Sequence, residues 1–185
     1  MYHLRVMSEL HIIRPHKPHA HEELALIALR LTPYHAGPQL YTLLAVGGDN
    51  ERPLTADGSI VFFRSPEQAE TALKLDSTMS KLGPIPAQVE SVGDVAEALY
   101  LVNSQDADSH GTVLDCLLIF DDLVRATRLH MPERYQGILT ELAARLTEGQ
   151  QLKQIFSNTS LRSHVEDALL WCVGAIVVKA RVVEL

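Results

Sequence analysis

An apolar run near the C-terminus is the strongest feature of the hydrophobic pattern. Residues 168–178 read ALLWCVGAIVV, with no charged or amide side chain. We expect this run to be buried, because it would otherwise expose a large apolar patch. It is too short for a bilayer span, which needs about 20 apolar residues. Ser163 and Glu166, three residues apart, fit a capping box at the start of a helix. The pattern therefore predicts a buried core helix, with nearly full burial of Leu169, Cys172 and Ile176.

The end of this run has two interpretations. The chain after Gly174 is rich in β-branched residues, which favour strands. One interpretation is a continuous helix through Gly174. The other is a break at Gly174 followed by a final strand from Ala175 to Glu184.

The N-terminal half has the pattern of a small sheet. Short apolar runs predict strands at Leu24–Leu31, Leu40–Val46, Ile60–Phe63 and Gln88–Val92. The first two predict an antiparallel hairpin. Both are apolar at alternate and intervening positions alike, so we expect cover on both faces of the sheet. Residues 47–59 are interpreted as a polar loop, with Asp57-Gly58 as a turn. Ser65 caps a helix that ends near Met79, and Asp94 caps a second helix, which buries Val95, Ala98, Leu99 and Val102.

The C-terminal half has helical periodicity throughout. One helix is predicted from Thr112 to His130 and another begins at Pro132, followed by a short helical piece from Gln151 to Phe156. Gly149 is placed to end the second helix. That helix is the fourth predicted along the chain, and it carries an apolar stripe, which we therefore call the α4 stripe: Tyr135, Ile138, Leu139, Leu142 and Leu146.

These elements define an α+β fold. A small, mostly antiparallel sheet with two helices is followed by a helical half of three to four helices. The expected division has three parts. Residues 1–21 are predicted to be an irregular segment that contains His and Pro, residues 22–103 an α/β subdomain, and residues 111–185 a helical subdomain packed on it as a single globular unit.

Charge and cysteine content narrow the function classes. The net charge of -7 argues against nucleic-acid binding, which needs a basic surface. The N-terminus lacks the apolar core of a signal peptide and no segment resembles a membrane span, so the expectation is a cytoplasmic protein without a membrane partner. Cys116 and Cys172 lie in apolar runs, where a thiol has a raised pKa and is inert.

A histidine-rich segment near the N-terminus is the main candidate for metal chemistry. His16, His19, His21 and Glu22 offer imidazole and carboxylate ligands for a divalent transition metal such as zinc. Pro15 and Pro18 indicate a loop, however, and no spaced zinc motif is present. The favoured interpretation is therefore an inert, solvated segment in a protein with no cofactor, and the metal site is the alternative.

Acidic residues on one predicted helix are a second candidate. Asp115, Asp121 and Asp122 could bind a divalent cation if a second acidic helix, at Glu166 and Asp167, lay beside them. We favour a solvated face, in which the carboxylates pair with Arg125 and Arg128.

No catalytic motif marks this sequence as an enzyme. The favoured hypothesis is a non-enzymatic protein-binding or regulatory protein, immunity-like in kind, whose partner is another protein or a second copy bound through the α4 stripe. The alternatives are a metal-binding protein or small metal-dependent enzyme that uses the histidine segment, and a small-molecule binder with a pocket between sheet and helices.

Overall fold

The computed structural model describes residues 10–12, 23–33, 36–46, 51–75, 86, 88–104 and 110–183. Within these ranges the chain has the predicted α+β fold. The strands are β1 (Leu10–Ile12), β2 (Glu23–Arg30), β3 (Leu40–Val46), β4 (Arg52–Ala56), β5 (Ser59–Phe62), β6 (Ser91–Asp94) and β7 (Ala180–Val182). The helices are α1 (Pro66–Leu75), α2 (Val95–Ser104), α3 (His110–Thr127), α4 (Glu133–Thr147), α5 (Leu152–Ile155) and α6 (Thr159–Val178).

The strands form one mixed, mostly antiparallel sheet. Its order is β6-β2-β3-β4-β5-β7, and β1 pairs with β4. The β2–β3 hairpin is antiparallel as predicted, with Leu29 opposite Leu40. The two outer strands of the order, β6 and β7, run parallel to β2 and β5 respectively.

The central hairpin is covered on both faces, which confirms the expectation from its uniform apolarity. Alternate β2 residues point to opposite faces, as a strand requires. Ala25, Ile27 and Leu29 belong to a large core that α2, α3, α4 and α6 cover. Leu24 and Leu26 belong to a smaller core on the other face, against α1.

The prediction of a polar loop over residues 47–59 was wrong, because β4 lies inside it. Pro53 is buried in this strand, although proline normally signals a turn. The turn signal itself was correct. Asp57 and Gly58 both have positive φ, 51° and 74°, and they join β4 to β5. Two consecutive residues with positive φ suit the tight turn of a hairpin.

Predicted caps begin two helices at the expected places. The backbone N–H of Gln68 donates to Ser65 Oγ at 3.3 Å, at the start of α1. The N–H of Glu97 donates to Asp94 Oδ1 at 2.9 Å, at the start of α2. α1 is described as far as Leu75, and the predicted end near Met79 lies outside the described residues.

The fourth predicted strand is displaced along the chain: β6 runs from Ser91 to Asp94 instead of from Gln88 to Val92. Gly93 lies where α3 crosses this strand. A Cβ atom there would lie 2.8 Å from Leu29 Cδ2 and 3.3 Å from Ile119 Cγ2. The absence of a side chain at Gly93 therefore lets the helix approach the sheet closely.

Helices α3 and α4 follow the prediction with shifted ends. α3 ends at Thr127, before the predicted His130, because Arg128 adopts the left-handed conformation with φ of 57°. Pro132 is the N-cap of α4 and not its first residue. Gly149 has φ of 80°, as a glycine just after a helix often does.

The C-terminal helix combines parts of both interpretations. α6 continues through Gly174 to Val178, and a strand of three residues, β7, follows at Ala180. The predicted capping box of Ser163 and Glu166 was wrong, because α6 begins four residues earlier, where Asn158 Oδ1 accepts from the N–H of Ser160 at 2.9 Å. The predicted burial is confirmed, with exposed fractions of 0% for Leu169, 1% for Cys172 and 4% for Ile176.

Candidate functional site: the outer face of the last helix

The predicted metal ligands His16, His19, His21 and Glu22 lie outside the described residues, so a zinc site there stays a prediction. Among the residues that the structure describes, no three His, Cys, Asp or Glu side chains come together as ligands of a metal ion would.

The acidic residues of α3 line a cavity of about 360 Å³ between this helix and the sheet. Asp115, Asp121 and Asp122 share its wall with Arg125. Arg125 pairs with Asp121 and, at 3.3 Å, with Asp122, so the predicted pairing with Arg125 is confirmed for these two residues. The predicted solvation is confirmed for Asp121, whose side chain is exposed, and was wrong for Asp122, whose side chain is mostly buried. Glu51 also lines this cavity, and no sequence motif marks this residue.

One carboxyl group of this cavity has a strongly altered acidity. Burial raises the pKa of Asp122 to about 6, and Arg125 opposes this effect only in part. The negative charges of Glu51 and Asp121 raise the pKa further, as does a hydrogen bond between the Asp122 and Glu51 side chains. This hydrogen bond links α3 to the residue just before β4.

A second cavity, of about 240 Å³, lies between α3, α4 and α6. Most of its lining is apolar, with Gln136, Thr140 and Asp121 as the polar groups. Cys172 forms part of its wall, and burial raises the pKa of this thiol to about 12. The pKa of Cys116 is also raised to about 12, mainly by burial. Both cysteines are free, and such thiols are poor nucleophiles at neutral pH.

The α4 stripe, expected as a dimer surface, is largely used within the chain. Leu142 and Leu146 are buried, and Ile138 and Leu139 pack against the main core. Tyr135 is partly buried, and the guanidinium of Arg134 lies 4.5 Å from the centre of its ring.

The open apolar surface lies instead on α6. We call it the α6 face: Leu170, Trp171, Gly174, Val177 and Val178. Exposed fractions are 56% for Leu170, 56% for Val177 and 74% for Val178. Gly174 is exposed and Trp171 is partly buried. The expectation that the whole run 168–178 is buried was therefore wrong for its outer side.

The helical period explains this division. With 3.6 residues per turn, Leu169, Cys172 and Ile176 point to the core, while Leu170, Gly174 and Val177 point away from it. The outer side of α6 changes character along its length. Its N-terminal part carries exposed polar residues such as Ser163 and Asp167, and the apolar part begins at Leu170.

Other large apolar side chains are exposed, but they are separated from one another along the chain. Leu75 is 63% exposed at the end of α1, and Tyr100 is 62% exposed on α2. Isolated exposed residues of this kind are normal on protein surfaces. On α6, by contrast, Leu170, Val177 and Val178 occupy positions i, i+7 and i+8 of one helix and lie on one side of it, with Gly174 between them.

In the part of the chain that the structure describes, no helix combines the length and the apolar character needed to cross a membrane.

Comparisons with known proteins show the fold and nothing more specific. No protein-family model matches the chain, and no curated protein does. A solved structure, described as the crystal structure of the SatS C-terminal domain in complex with bromine, is similar with a TM-score of 0.58. The alignment covers 86% of this chain and 94% of that chain, at 11% sequence identity. The chain therefore shares its architecture with that domain.

Proposed function

We propose that this chain is a non-enzymatic, regulatory or immunity-like protein that binds another protein through the α6 face. The observation that carries the proposal is the exposure of Leu170, Val177 and Val178 on one side of one helix. Covering such side chains is favourable, at about 25 cal/mol for each Å² of apolar surface removed from water.

The described cysteines support a binding role over covalent catalysis. The raised pKa values of Cys116 and Cys172 keep both thiols protonated at neutral pH, so neither is poised as a nucleophile. A cytoplasmic location belongs to this proposal, and it is consistent with two cysteines that form no disulfide, because disulfides are rare in that compartment.

The test is a comparison of two variants with the same charge change. The face variant carries Leu170→Lys and Val178→Lys, because lysine is tolerated on an exposed helix and is favourable near its C-terminus. The control variant carries Leu75→Lys and Tyr100→Lys, at residues of similar exposure on α1 and α2. All three proteins are used to capture partners from an extract of the organism that carries this chain. Captured partners are then purified and titrated calorimetrically.

We expect to capture a partner for which wild type and the control variant have similar affinity. The affinity of the face variant for this partner should be at least about tenfold lower, because charges replace two buried apolar contacts. Circular dichroism confirms that both variants are folded. Equal affinity of the face variant for every partner, or no partner at all, would contradict the proposal.

Small-molecule binding is a second candidate, supported by the cavity between α3, α4 and α6. Its volume of about 240 Å³ is below the usual range of ligand pockets, so only a compact, mainly apolar ligand would fit. The test is fragment screening by NMR against wild type and Ala143→Phe, which fills the cavity from α4. Fragments that bind both proteins equally are not in this cavity.

A further inference from the structure

We infer that this chain has a second protein-binding surface, which takes a partner segment with one large apolar side chain and a nearby lysine or arginine. The surface consists of the cavity between α3, α4 and α6, here called the apolar cavity, and the cavity between α3 and the sheet, here called the acidic cavity. Cys172 lines the apolar cavity from the buried side of α6, and no residue of the α6 face does so. The inference therefore goes beyond the proposed function and does not depend on it.

The two cavities lie on opposite sides of the outer ridge of α3. Leu118 and Asp121 line both of them. Leu117 lines the apolar cavity and Ile119 lines the acidic cavity, because successive side chains point about 100° apart around a helix. Leu118 lies on the ridge between the cavities and is 55% exposed. A single segment that crosses α3 at Leu118 therefore contacts both cavities.

The apolar cavity suits one side chain of a longer segment. Its volume of about 240 Å³ is small for a free ligand, which gains affinity only from the cavity itself. A side chain of a partner protein is also held by the contacts of its neighbours, and exposed Leu118 offers such a contact at the rim. Methionine and aromatic side chains are enriched at the centres of protein interfaces, so a Met or Phe anchor fits best.

The acidic cavity determines the charge of the residue beside this anchor. Its charged lining consists of four carboxylates and one guanidinium, a net charge of -3 when all are ionised: Glu51, Asp115, Asp121, Asp122 and Arg125. The described His, Cys, Asp and Glu side chains do not converge as the ligands of a metal ion would. A lysine or arginine side chain is therefore the complementary group, and the net charge of -7 on the chain attracts basic partners further.

Asp115 is the carboxylate best placed to bind that basic side chain. It is exposed, and no ion pair of this residue is found among the described residues. Arg125, which already pairs with Asp121 and Asp122, lies about 15 Å of helix rise away from Asp115. A cation beside Asp115 is thus separated from the positive charge of Arg125.

The width of α3 sets the spacing in the partner. A helix with its side chains is about 10 Å wide, and an extended segment advances about 3.3 Å per residue. A segment that crosses α3 therefore needs about three residue steps between the apolar anchor and the basic residue. The expected pattern is Met or Phe, two residues of any type, and Lys or Arg, in either chain direction.

Phage display of random peptides on the folded full chain tests this pattern without a known partner. The peptides must be long enough to span both cavities. We expect enrichment of sequences that combine the apolar anchor with the basic residue at this spacing. Synthetic copies of the enriched peptides are then titrated by fluorescence polarisation, and their affinity should fall as salt is added, because salt screens the charge attraction.

Matched variants locate the bound peptide. Ala143→Phe fills the apolar cavity from α4 and should weaken binding at least about tenfold, and Asp115→Lys should weaken it at least about fivefold. Asp167→Lys makes the same charge change on α6 and should bind like wild type. Leu118→Ser should weaken binding, whereas Leu75→Ser, at a residue of similar exposure on α1, should not. A peptide with Glu in place of its basic residue should regain affinity for Asp115→Lys. Circular dichroism confirms that each variant is folded.

The outcomes separate this inference from the proposed function. Enriched peptides without basic residues, binding that Asp115→Lys or Ala143→Phe leaves unchanged, or no enrichment at all would overturn the inference. Peptides that Ala143→Phe still binds and Leu170→Lys with Val178→Lys has lost bind the α6 face, which overturns the inference and supports the proposed function. If the peptides bind across α3 and no partner uses the α6 face, the inference stands and the proposed function fails.

Discussion

The packing of α6 leads to a matched pair of substitutions at adjacent residues. Leu169 is fully buried in the main core, whereas Leu170, the next residue of the same helix, is 56% exposed. Leu169→Ala and Leu170→Ala remove the same atoms from the same helical turn. The two substitutions differ only in what surrounds the side chain. The difference between their free energies of unfolding therefore reports which side of α6 faces the core.

The structure sets the size of each effect. Leu169→Ala loses the free energy of burying a full leucine side chain and leaves a cavity, at a cost of about 3 kcal/mol within a usual range of about 2–5 kcal/mol. Leu170→Ala loses much less apolar contact, and alanine is the better helix former. We therefore expect a cost of less than about 0.5 kcal/mol.

The assay is equilibrium unfolding in urea, followed by far-ultraviolet circular dichroism. Unfolding should be measured at several low protein concentrations, because Leu170 belongs to the α6 face and any association would add to the apparent stability of the wild type. Equal urea dependence in the two variants would show that the same folded state is being compared. A difference of less than about 1 kcal/mol between Leu169→Ala and Leu170→Ala would refute the assigned burial of α6.

Three further predictions concern titratable and ligand groups. Because the pKa of Asp122 is raised to about 6 in the folded state, above about 4 in the unfolded chain, its contribution to stability is present at low pH and is lost as pH rises through 6. The free energy of unfolding of Asp122→Asn, relative to that of wild type, should therefore rise by on the order of 1 kcal/mol between about pH 4 and pH 7, after allowance for partial solvent screening. Urea unfolding at several pH values measures this difference. A difference that does not change with pH would contradict the prediction. Cys116 and Cys172, with pKa values of about 12, should resist iodoacetamide at about pH 8 in the folded protein and react with it in denaturant. Mass spectrometry measures the labelling, and rapid labelling of the native protein would disprove this prediction. Plasma mass spectrometry of the purified protein should find no stoichiometric transition metal. Zinc that is present in wild type and absent from the double variant His19→Ala with His21→Ala would instead support the metal site.

The sequence alone determined those features that depend on near neighbours along the chain. Ser65 and Asp94 satisfy backbone N–H groups three residues away, so their helix starts were readable as local patterns. The Asp57-Gly58 turn was readable for the same reason, since both residues tolerate positive φ. The uniform apolarity of β2 likewise predicted cover on both faces, because successive side chains in a strand alternate between faces.

Only the tertiary structure decided the features that depend on distant parts of the chain. Pro53 lies in β4 because Leu44 and Ala45 of β3 provide a partner strand, and a local pattern does not record that pairing. Glu51 meets Asp122 because the sheet and α3 pack together, although 71 positions separate the two residues in the sequence.

The candidate site belongs to this second group. Residues 168–178 are apolar around the whole circumference of α6, so the sequence carries no amphipathic signal to distinguish the buried side from the outer side. The apolar pattern therefore predicted burial of the whole run, and the clear amphipathic pattern of the α4 stripe predicted a partner surface there. In the folded chain the core covers Leu169 and leaves Leu170 exposed. That division depends on which helices and strands surround α6, and packing between elements far apart in the sequence determines it.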